Sequence, residues 1–153
     1  MRALELKVPP AVLVIICALL MYFSPNPIMY LGFSLEVTYY LSRALFVLAV
    51  FIIVAGIYCF RKANTTVDPT SPDKASTLVS YGIFKYSRNP MYLGFAIVLL
   101  GFAIKIQTLI AILWVVVFVL YLTQFQIKPE ERALRQIFGD EYSQYCKQVR
   151  RWI

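Results

Sequence analysis

Residues 89–127 read NPMYLGFAIVLLGFAIKIQTLIAILWVVVFVLYLTQFQI and contain one charged side chain, Lys105. The lysine separates two apolar runs, each about as long as a helix that crosses a membrane. Such a helix needs roughly 20 apolar residues, because the hydrocarbon core of a bilayer is about 30 Å thick. The stretch therefore predicts two transmembrane helices, at about 90–104 and 108–126, joined by a tight turn at 105–108.

A proline and two glycines refine the first of these helices. Pro90 suits the first helical turn, where the missing N–H has no helical partner to lose. Gly94 and Gly101 are seven residues apart and therefore share one face of the helix. Small residues on one face let membrane helices approach each other closely. We therefore expect another helix to pack against this face.

Two further charge-free runs in the N-terminal half predict transmembrane helices at about 8–25 and 40–60. The first run could also be a secretory signal, but it ends in Ser24-Pro25-Asn26-Pro27, a turn sequence rather than a small-residue cleavage site. Residues 28–40 are semi-apolar and aromatic, which suits an interfacial connection.

The composition agrees with these spans. Hydrophobic residues make up 60% of the chain and charged residues 15%, against roughly 45–50% and about 25% in typical soluble proteins. The sequence thus predicts an all-α integral membrane protein with about four transmembrane helices, in a single membrane-embedded domain over residues 1–153.

The basic residues predict the orientation of the helices. With both termini on one side, thirteen of the 15 Lys and Arg residues lie on that side, and only Arg43 and Lys105 lie on the other. Cytoplasmic loops carry the excess of Lys and Arg in membrane proteins. Both termini are therefore predicted to be cytoplasmic, in a plasma (inner) membrane. The net charge of +7 is then concentrated on one face, where it suits anionic membrane lipids rather than nucleic acid.

The last segment, residues 127–153, is a polar cytoplasmic tail with the periodicity of an amphipathic helix. Gly139 and Asp140 divide the tail, and Asp140 is a suitable cap for a second short helix. Such a tail either lies on the membrane surface or packs under the helices. The apolar residues that recur at spacings of three and four are Leu134, Ile137, Phe138, Tyr142, Tyr145 and Val149.

The side chains most common in metal sites are scarce. The chain contains no histidine, and the spacing of Cys17, Cys59 and Cys146 is not typical of a zinc site. The usual general base, metal ligand and pH switch of proteins are therefore missing. No metal site is predicted.

Two polar stretches flank the last two predicted helices on the same side of the membrane. A helical hairpin brings its two ends together, so residues 88–92 are expected to face Glu130 and Glu131. An arginine, an amide, a phenol and two carboxylates at this boundary suit a ligand with both an ammonium and a carboxylate. The same side chains could instead be ordinary boundary residues: an arginine anchor, an interfacial tyrosine, and acids stabilised by a helix N-terminus.

The two polar stretches together resemble a known family. Residues 76–94, STLVSYGIFKYSRNPMYLG, are followed after the hairpin by Glu130-Glu131 and then by FGDEY at 138–142. This combination is similar to the isoprenylcysteine carboxyl methyltransferases and the related phospholipid N-methyltransferases, whose pattern is Arg-His-Pro-x-Tyr-x-Gly with a later Glu-Glu pair. The resemblance covers about residues 65–152, and the first two helices match only in being hydrophobic.

The resemblance implies S-adenosylmethionine as the cofactor, held between the cytoplasmic segments and the last helices, with Glu130 at its amino acid end. Phe84 stands where the family usually has tyrosine, and Asn89 where it usually has histidine. Asparagine donates and accepts hydrogen bonds but does not titrate, so no acid–base role is expected at Asn89. By position, the cofactor-binding residues would be Ser76, Thr77, Leu78, Val79, Phe84, Asn89, Pro90, Met91, Tyr92 and Glu130.

The resemblance also implies methyl transfer to a lipid or lipid-like acceptor, with Arg88, Asn89, Tyr92 and Glu131 as catalytic candidates. A sulfonium methyl group transfers by in-line displacement, and holding the two reactants in line can contribute about 7–11 kcal/mol. A carboxylate acceptor needs no base at pH 7, whereas an amine acceptor needs one, for which Glu131 is the nearest candidate.

For substrate binding, the resemblance points to one position in this sequence. In the carboxyl methyltransferases, an arginine about four residues before the first glutamate engages the substrate carboxylate. Here that position is Gln126, whose neutral amide favours a less acidic acceptor.

Two other functions are compatible with this composition. A small four-helix cation transporter would place an acid inside a span, whereas every acid of this chain lies outside the four apolar runs. A non-enzymatic assembly protein could use the basic face to hold anionic lipid. The sequence specifies neither the acceptor nor an oligomeric state.

Overall fold

A computed structural model describes residues 5–24, 31–63 and 76–153. Within these ranges every regular element is helical, as predicted. The predicted turn at 25–27 and residues 64–75 of the polar segment between the second and third helices lie outside the described residues. The elements are α1 (Pro10–Phe23), α2 (Leu35–Lys62), a 3₁₀ turn (Gly82–Lys85), α3 (Pro90–Ile106), α4 (Leu109–Leu122), a π-helical turn (Thr123–Ile127) and α5 (Lys128–Gln148).

Two helical stretches are long and apolar enough to cross a membrane: α2, with 28 residues, and the 40-residue helix from Leu109 to Gln148. α1 and α3 are shorter apolar helices of 14 and 17 residues. Extensive apolar surface on the outside of a helical protein suits contact with lipid. Large apolar side chains are exposed on α1, α2 and α4, among them Ile15, Leu19, Tyr40, Val47, Phe51, Tyr58, Leu113 and Leu120.

α2 begins at Leu35, earlier than the predicted start at residue 40. The hydroxyl of Ser34 accepts a hydrogen bond from the N–H of Val37 at 3.3 Å and so caps the helix. Glu36 lies in the first turn, where the helix dipole favours negative charge. The predicted start at residue 40 is therefore wrong by five residues, because a capped helix can start outside the apolar run.

α3 packs closely against α2, and its two glycines line the contact, as predicted. A β-carbon on Gly94 would lie 2.5 Å from Ile53 Cγ1 and 3.2 Å from the carbonyl oxygen of Ala49. A β-carbon on Gly101 would lie 3.3 Å from the carbonyl oxygen of Ser42. The two glycines therefore let the helix backbones approach at both levels of the interface.

α3 and α4 form the predicted hairpin. Gln107 adopts the left-handed conformation (φ 60°, ψ 33°) that ends α3. Thr108 then starts α4, since its hydroxyl accepts a hydrogen bond from the N–H of Ala111 at 3.3 Å. Leu99 of α3 and Phe118 of α4 are fully buried in the core that these helices share with α1. The open end of the hairpin carries Tyr92 on α3 and Gln126 just after α4.

α4 continues into α5 through the π turn, so the predicted tail at 127–153 does not start as a separate helix. The N–H of Lys128 donates to the carbonyl of Thr123, five residues earlier. In a regular α-helix the carbonyl of Phe125 would accept from residue 129, but Pro129 has no N–H. The N–H of Leu6 donates to Phe125 instead, at 3.0 Å. The N-terminal segment is thereby fastened to the junction of α4 and α5.

The second half of α5 packs against the 3₁₀ turn and the segment before it. Gly139 interrupts the helix with φ 51° and ψ −119°, at the predicted division. Beyond it, Tyr142, Tyr145 and Val149 are buried. The hydroxyl of Tyr145 donates to the carbonyl of Phe84 in the 3₁₀ turn, at 2.7 Å.

Candidate functional site

The site lies where the first turn of α3 meets the junction of α4 and α5. As predicted, residues 88–92 face the pair of glutamates at the start of α5. Glu130 and Glu131 are adjacent on a helix, so their side chains leave it about 100° apart. The two carboxylates therefore meet different partners and form two clusters.

Glu130 lies among neutral hydrogen-bond donors. The hydroxyl of Tyr92 and the side-chain amide of Gln126 both donate to Oε1 of Glu130, each at 2.5 Å. Gln126 is four residues before Glu130, a spacing that makes side chains neighbours on a helix. Tyr92 reaches the same oxygen from the first turn of α3. Tyr92 and Gln126 are only 6% and 2% exposed, whereas Glu130 itself is half-buried.

The surroundings of Glu130 favour its neutral form. Burial raises the pKa of Glu130 to about 7, and the charge of Glu131 also raises it, whereas the hydrogen bonds from Tyr92 and Gln126 lower it. Among the described residues, no Lys or Arg side chain forms an ion pair with Glu130. A partly desolvated carboxylate whose partners are neutral gains from a ligand that brings a positive charge.

Glu131 forms the second cluster, in which two guanidinium groups surround one carboxylate. Arg151 donates from Nε and Nη2 to the two carboxylate oxygens, at 2.9 and 2.8 Å. Arg88 Nη2 lies 3.0 Å from Oε1, and Arg88 Nη1 also contacts Sγ of Cys146. Burial raises the pKa of Glu131, but the hydrogen bonds from Arg151 and the charges of Arg88 and Arg151 outweigh it, so this pKa lies below its ordinary value.

Asn89 links the second cluster to the last residues of the chain. Its side-chain Nδ2 donates to the carbonyl oxygen of Arg151 at 2.9 Å. Its backbone N–H donates to the hydroxyl of Ser87 at 3.1 Å, and the N–H of Arg88 donates to the carbonyl of Arg150 at 3.1 Å. The predicted motif and the C-terminus of the chain therefore lie side by side.

The remaining predicted cofactor residues lie beside the two clusters. Val79 and Phe84 are buried in a small hydrophobic cluster with the end of α2. Pro90 and Met91 lie against Gly56 of α2, where a β-carbon would come within 2.9 Å of Met91 Cγ. These four side chains therefore hold the backbone of the motif against α2.

The first predicted cofactor residues, which lie at the start of the segment before α3, differ in exposure. Ser76 and Thr77 lie on the surface, whereas Leu78 packs against the buried cluster of Tyr142 and Tyr145. This segment therefore connects the second half of α5 to the motif, and its first two residues present polar side chains to solvent.

Three residues that contact the site are not predicted from the sequence: Arg151, Trp152 and Cys146. The sequence analysis treats Arg151 only as one of the basic residues of the tail. Trp152 could have indicated that the end of the tail is packed, because it is the only tryptophan outside the predicted spans and a large aromatic side chain in a polar tail indicates packing. Nothing in the spacing of Cys146 indicates its contact with Arg88.

Comparison with known proteins identifies the family. Residues 37–141, about two thirds of the chain, match the sequence profile of phospholipid methyltransferases. The chain belongs to the phospholipid methyltransferase family. The matched region contains most of α2, all of α3 and α4, and both glutamates of the site. Arg151 and Trp152 lie beyond it.

Two relatives of this phospholipid methyltransferase family member are informative. An uncharacterized protein of Haemophilus influenzae is 43% identical over 63 residues, which cover 41% of this chain and 100% of that protein. The protein-S-isoprenylcysteine O-methyltransferase of Schizosaccharomyces pombe is 39% identical over 80 residues, which cover 50% of this chain and 33% of the yeast enzyme. The match thus spans about a third of the length of that enzyme. No solved structure matches the chain significantly.

Membership of the phospholipid methyltransferase family indicates a membrane enzyme that methylates lipid-like acceptors.

Proposed function

We propose that the chain transfers methyl groups from S-adenosylmethionine to a lipid or lipid-like acceptor at the boundary between membrane and cytoplasm. The observation that carries the proposal is Glu130, a half-buried carboxylate whose hydrogen-bond donors in the described chain, Tyr92 and Gln126, are neutral. S-adenosylmethionine has an ammonium at its amino acid end, and this group would bring the positive charge that Glu130 lacks. Membership of a methyltransferase family supports the same cofactor.

The residues of the chain would bind and orient the reactants. Glu130 would bind the ammonium, with Tyr92 and Gln126 holding the carboxylate in place. Ser76 and Thr77, which lie on the surface before α3, would line the cofactor as the family resemblance implies. When bound, the cofactor supplies an electrophilic methyl group on a sulfonium. In-line displacement then depends on holding the acceptor opposite this methyl and excluding water, which can contribute about 7–11 kcal/mol.

Glu131 is better suited to anchoring than to acting as a base. It accepts two hydrogen bonds from Arg151 and forms an ion pair with Arg88. Its pKa therefore lies below the ordinary value. A general base is most effective when its pKa is near the working pH. We therefore propose that Glu131 holds Arg88 and the motif in place, instead of the role as base that an amine acceptor would require.

The acceptor is proposed to be less acidic than a prenylcysteine carboxylate. Gln126 occupies the position of the arginine that would engage such a carboxylate, and its neutral amide donates to Glu130. Lys128 does not replace the arginine, because its side chain is exposed and its Nζ donates to Oε1 of Gln124 at 2.7 Å. An acidic acceptor would therefore lack the charge-assisted pair that an arginine provides.

The test is to incubate the purified protein with S-adenosylmethionine labelled in the methyl group and a whole lipid extract. We expect one lipid fraction to become labelled, and its mass to identify the acceptor. A farnesylcysteine analogue offered in the same assay should be methylated far more slowly. A folded protein that retains lipid but neither binds S-adenosylmethionine nor labels any fraction would overturn the proposal in favour of a non-enzymatic lipid-binding protein.

A further inference from the structure

The last residues of the chain lie against the motif of the candidate site. We propose that residues 149–152, termed the C-terminal clasp, hold Arg88, Asn89 and Glu131 in place for cofactor binding, with Arg151 as the positioning residue. This inference rests on the proposed function. The clasp lies beyond residues 37–141, the part of the chain that matches the family profile.

The backbone of the clasp turns back toward α3 as soon as α5 ends. Val149 has extended angles (φ −124°, ψ 133°) and is 8% exposed. The next two carbonyl groups accept hydrogen bonds from the motif. The carbonyl of Arg150 accepts from the N–H of Arg88 at 3.1 Å, and that of Arg151 accepts from Asn89 Nδ2 at 2.9 Å. The clasp thus satisfies two donors at the start of α3.

The side chain of Arg151 adds the charged contact. Its two hydrogen bonds to Glu131 form a bidentate pair, with Arg88 on the same carboxylate. Such pairs are directional as well as strong, because the planar guanidinium matches the carboxylate. The side chains of Arg88 and Glu131 are 10% and 9% exposed, and that of Arg151 is 33% exposed. Loss of Arg151 would leave Glu131 with one arginine partner, on the α3 side only.

Trp152 fixes the far end of the clasp. Its indole N–H donates to the hydroxyl of Thr123 at 3.2 Å, and its ring packs against the main hydrophobic core. Thr123 begins the π turn that carries Gln126. The clasp therefore contacts both walls of the site: α3 through its carbonyl groups, and the junction of α4 and α5 through Arg151 and Trp152.

The contacts of the clasp affect the Glu130 cluster indirectly, through the first turn of α3. Asn89 precedes the first residue of α3, but its side chain makes no capping hydrogen bond to that helix and donates to the clasp instead. Tyr92 lies three residues later, in the first turn, and donates to Glu130. A shift of this turn would move the Tyr92 hydroxyl away from Glu130. Loss of the clasp should therefore weaken cofactor binding although Arg151 does not touch Glu130.

Substitution of Arg151 tests the inference. Arg151→Gln removes the charge, whereas Arg151→Lys keeps the charge but cannot form the bidentate pair. Arg150→Gln is the matched control, because the Arg150 side chain is exposed and only its carbonyl joins the clasp. For each full-length variant, we would measure direct binding of S-adenosylmethionine, the unfolding temperature, and hydrogen exchange of the peptide that covers residues 86–92.

We expect Arg151→Gln to weaken cofactor binding about tenfold and to speed exchange at the start of α3, while the protein stays folded. Arg151→Lys should lie between this variant and the wild type, and Arg150→Gln should match the wild type. Equal affinity and equal exchange in the folded Arg151 and Arg150 variants would overturn the inference. If Arg151→Gln does not fold, Arg151→Lys carries the same comparison.

The two proposals can fail separately. A wild-type protein that binds no S-adenosylmethionine would refute the proposed function. The exchange measurement would then still decide whether Arg151 orders the motif.

Discussion

At the scale of single residues, the first prediction concerns the charge of Glu130. Glu130→Gln keeps the shape of the side chain but removes the negative charge that would face the cofactor ammonium. A hydrogen bond to a charged group contributes about 1.5–3 kcal/mol, so we expect the affinity for S-adenosylmethionine to fall by roughly tenfold to over a hundredfold. The control variant is Glu141→Gln, which neutralises an exposed carboxylate of α5 and should bind like the wild type. Titration calorimetry on the wild type and on both variants would check this. Equal affinity in the folded Glu130 and Glu141 variants would contradict the assignment.

The raised pKa of Glu130 gives a second prediction with a definite sign. The ammonium binds the ionised carboxylate, but a carboxyl group with a pKa of about 7 is half protonated near neutral pH. Affinity for S-adenosylmethionine should therefore fall as the pH drops below 7, approaching tenfold per pH unit, and level off above it. Binding measured on both sides of pH 7 checks this, with Glu130→Gln as the reference that lacks the titrating group. A wild-type profile as flat as that of Glu130→Gln would exclude Glu130 as the ammonium ligand.

Part of the site was predictable at this scale, and part was not. The meeting of residues 88–92 with Glu130 and Glu131 follows from the hairpin, because two helices of similar length return the chain to its starting level. The partner of each glutamate depends on the rotation of the helix at the π turn, which no charge pattern records. The role of Arg151 depends on a reversal of the chain after Val149, and in the sequence Arg151 is one basic residue among several.

At the scale of helices, the apolar runs predict where the chain is in the membrane but not where a helix begins or ends. The break at Gly139 is confirmed, because it depends on local backbone conformation. The predicted turn at 105–108 is confirmed only at Gln107 and Thr108, because α3 continues to Ile106. The start of α2 and the continuity of α4 with α5 are not predicted. A helix can extend past an apolar run wherever a cap or a tolerated proline permits it, as Ser34 and Pro129 do here.

The interface of α2 and α3 gives the prediction at this scale. Gly94→Ala would place a β-carbon 2.5 Å from Ile53 Cγ1 and 3.2 Å from a backbone carbonyl. Because the backbone cannot move aside as a side chain can, we expect a loss of stability of about 1–3 kcal/mol. Gly101→Ala, whose β-carbon would meet its nearest atoms at 3.3 Å, should cost less. Unfolding of both variants in the same detergent checks the order, and a Gly101 variant less stable than the Gly94 variant would contradict it.

At the scale of the whole molecule, the described ends of the chain meet at one end of the helices. Leu6 donates to Phe125 at the α4–α5 junction, where Arg151 and Trp152 also bind. The other end of the molecule is marked by the turn at Gln107, whose carbonyl accepts from the N–H of Leu31 at 2.9 Å. Leu6 and Leu31 therefore lie at opposite ends of the hairpin, although α1 between them has only 14 residues.

This geometry leads to the last prediction, that the chain crosses the membrane four times with both termini in the cytoplasm. An even number of crossings keeps thirteen of the 15 basic residues on one side, where the excess of Lys and Arg is normally found. The test uses single cysteines at the exposed positions Lys85, Lys105 and Gln144, in a background without the native cysteines, and a maleimide that does not cross membranes. We expect the cysteines at positions 85 and 144 to react from the cytoplasmic side and the cysteine at position 105 to react from the opposite side. If the cysteines at positions 85 and 105 react from the same side, α3 does not cross the membrane, and the prediction of four crossings is wrong.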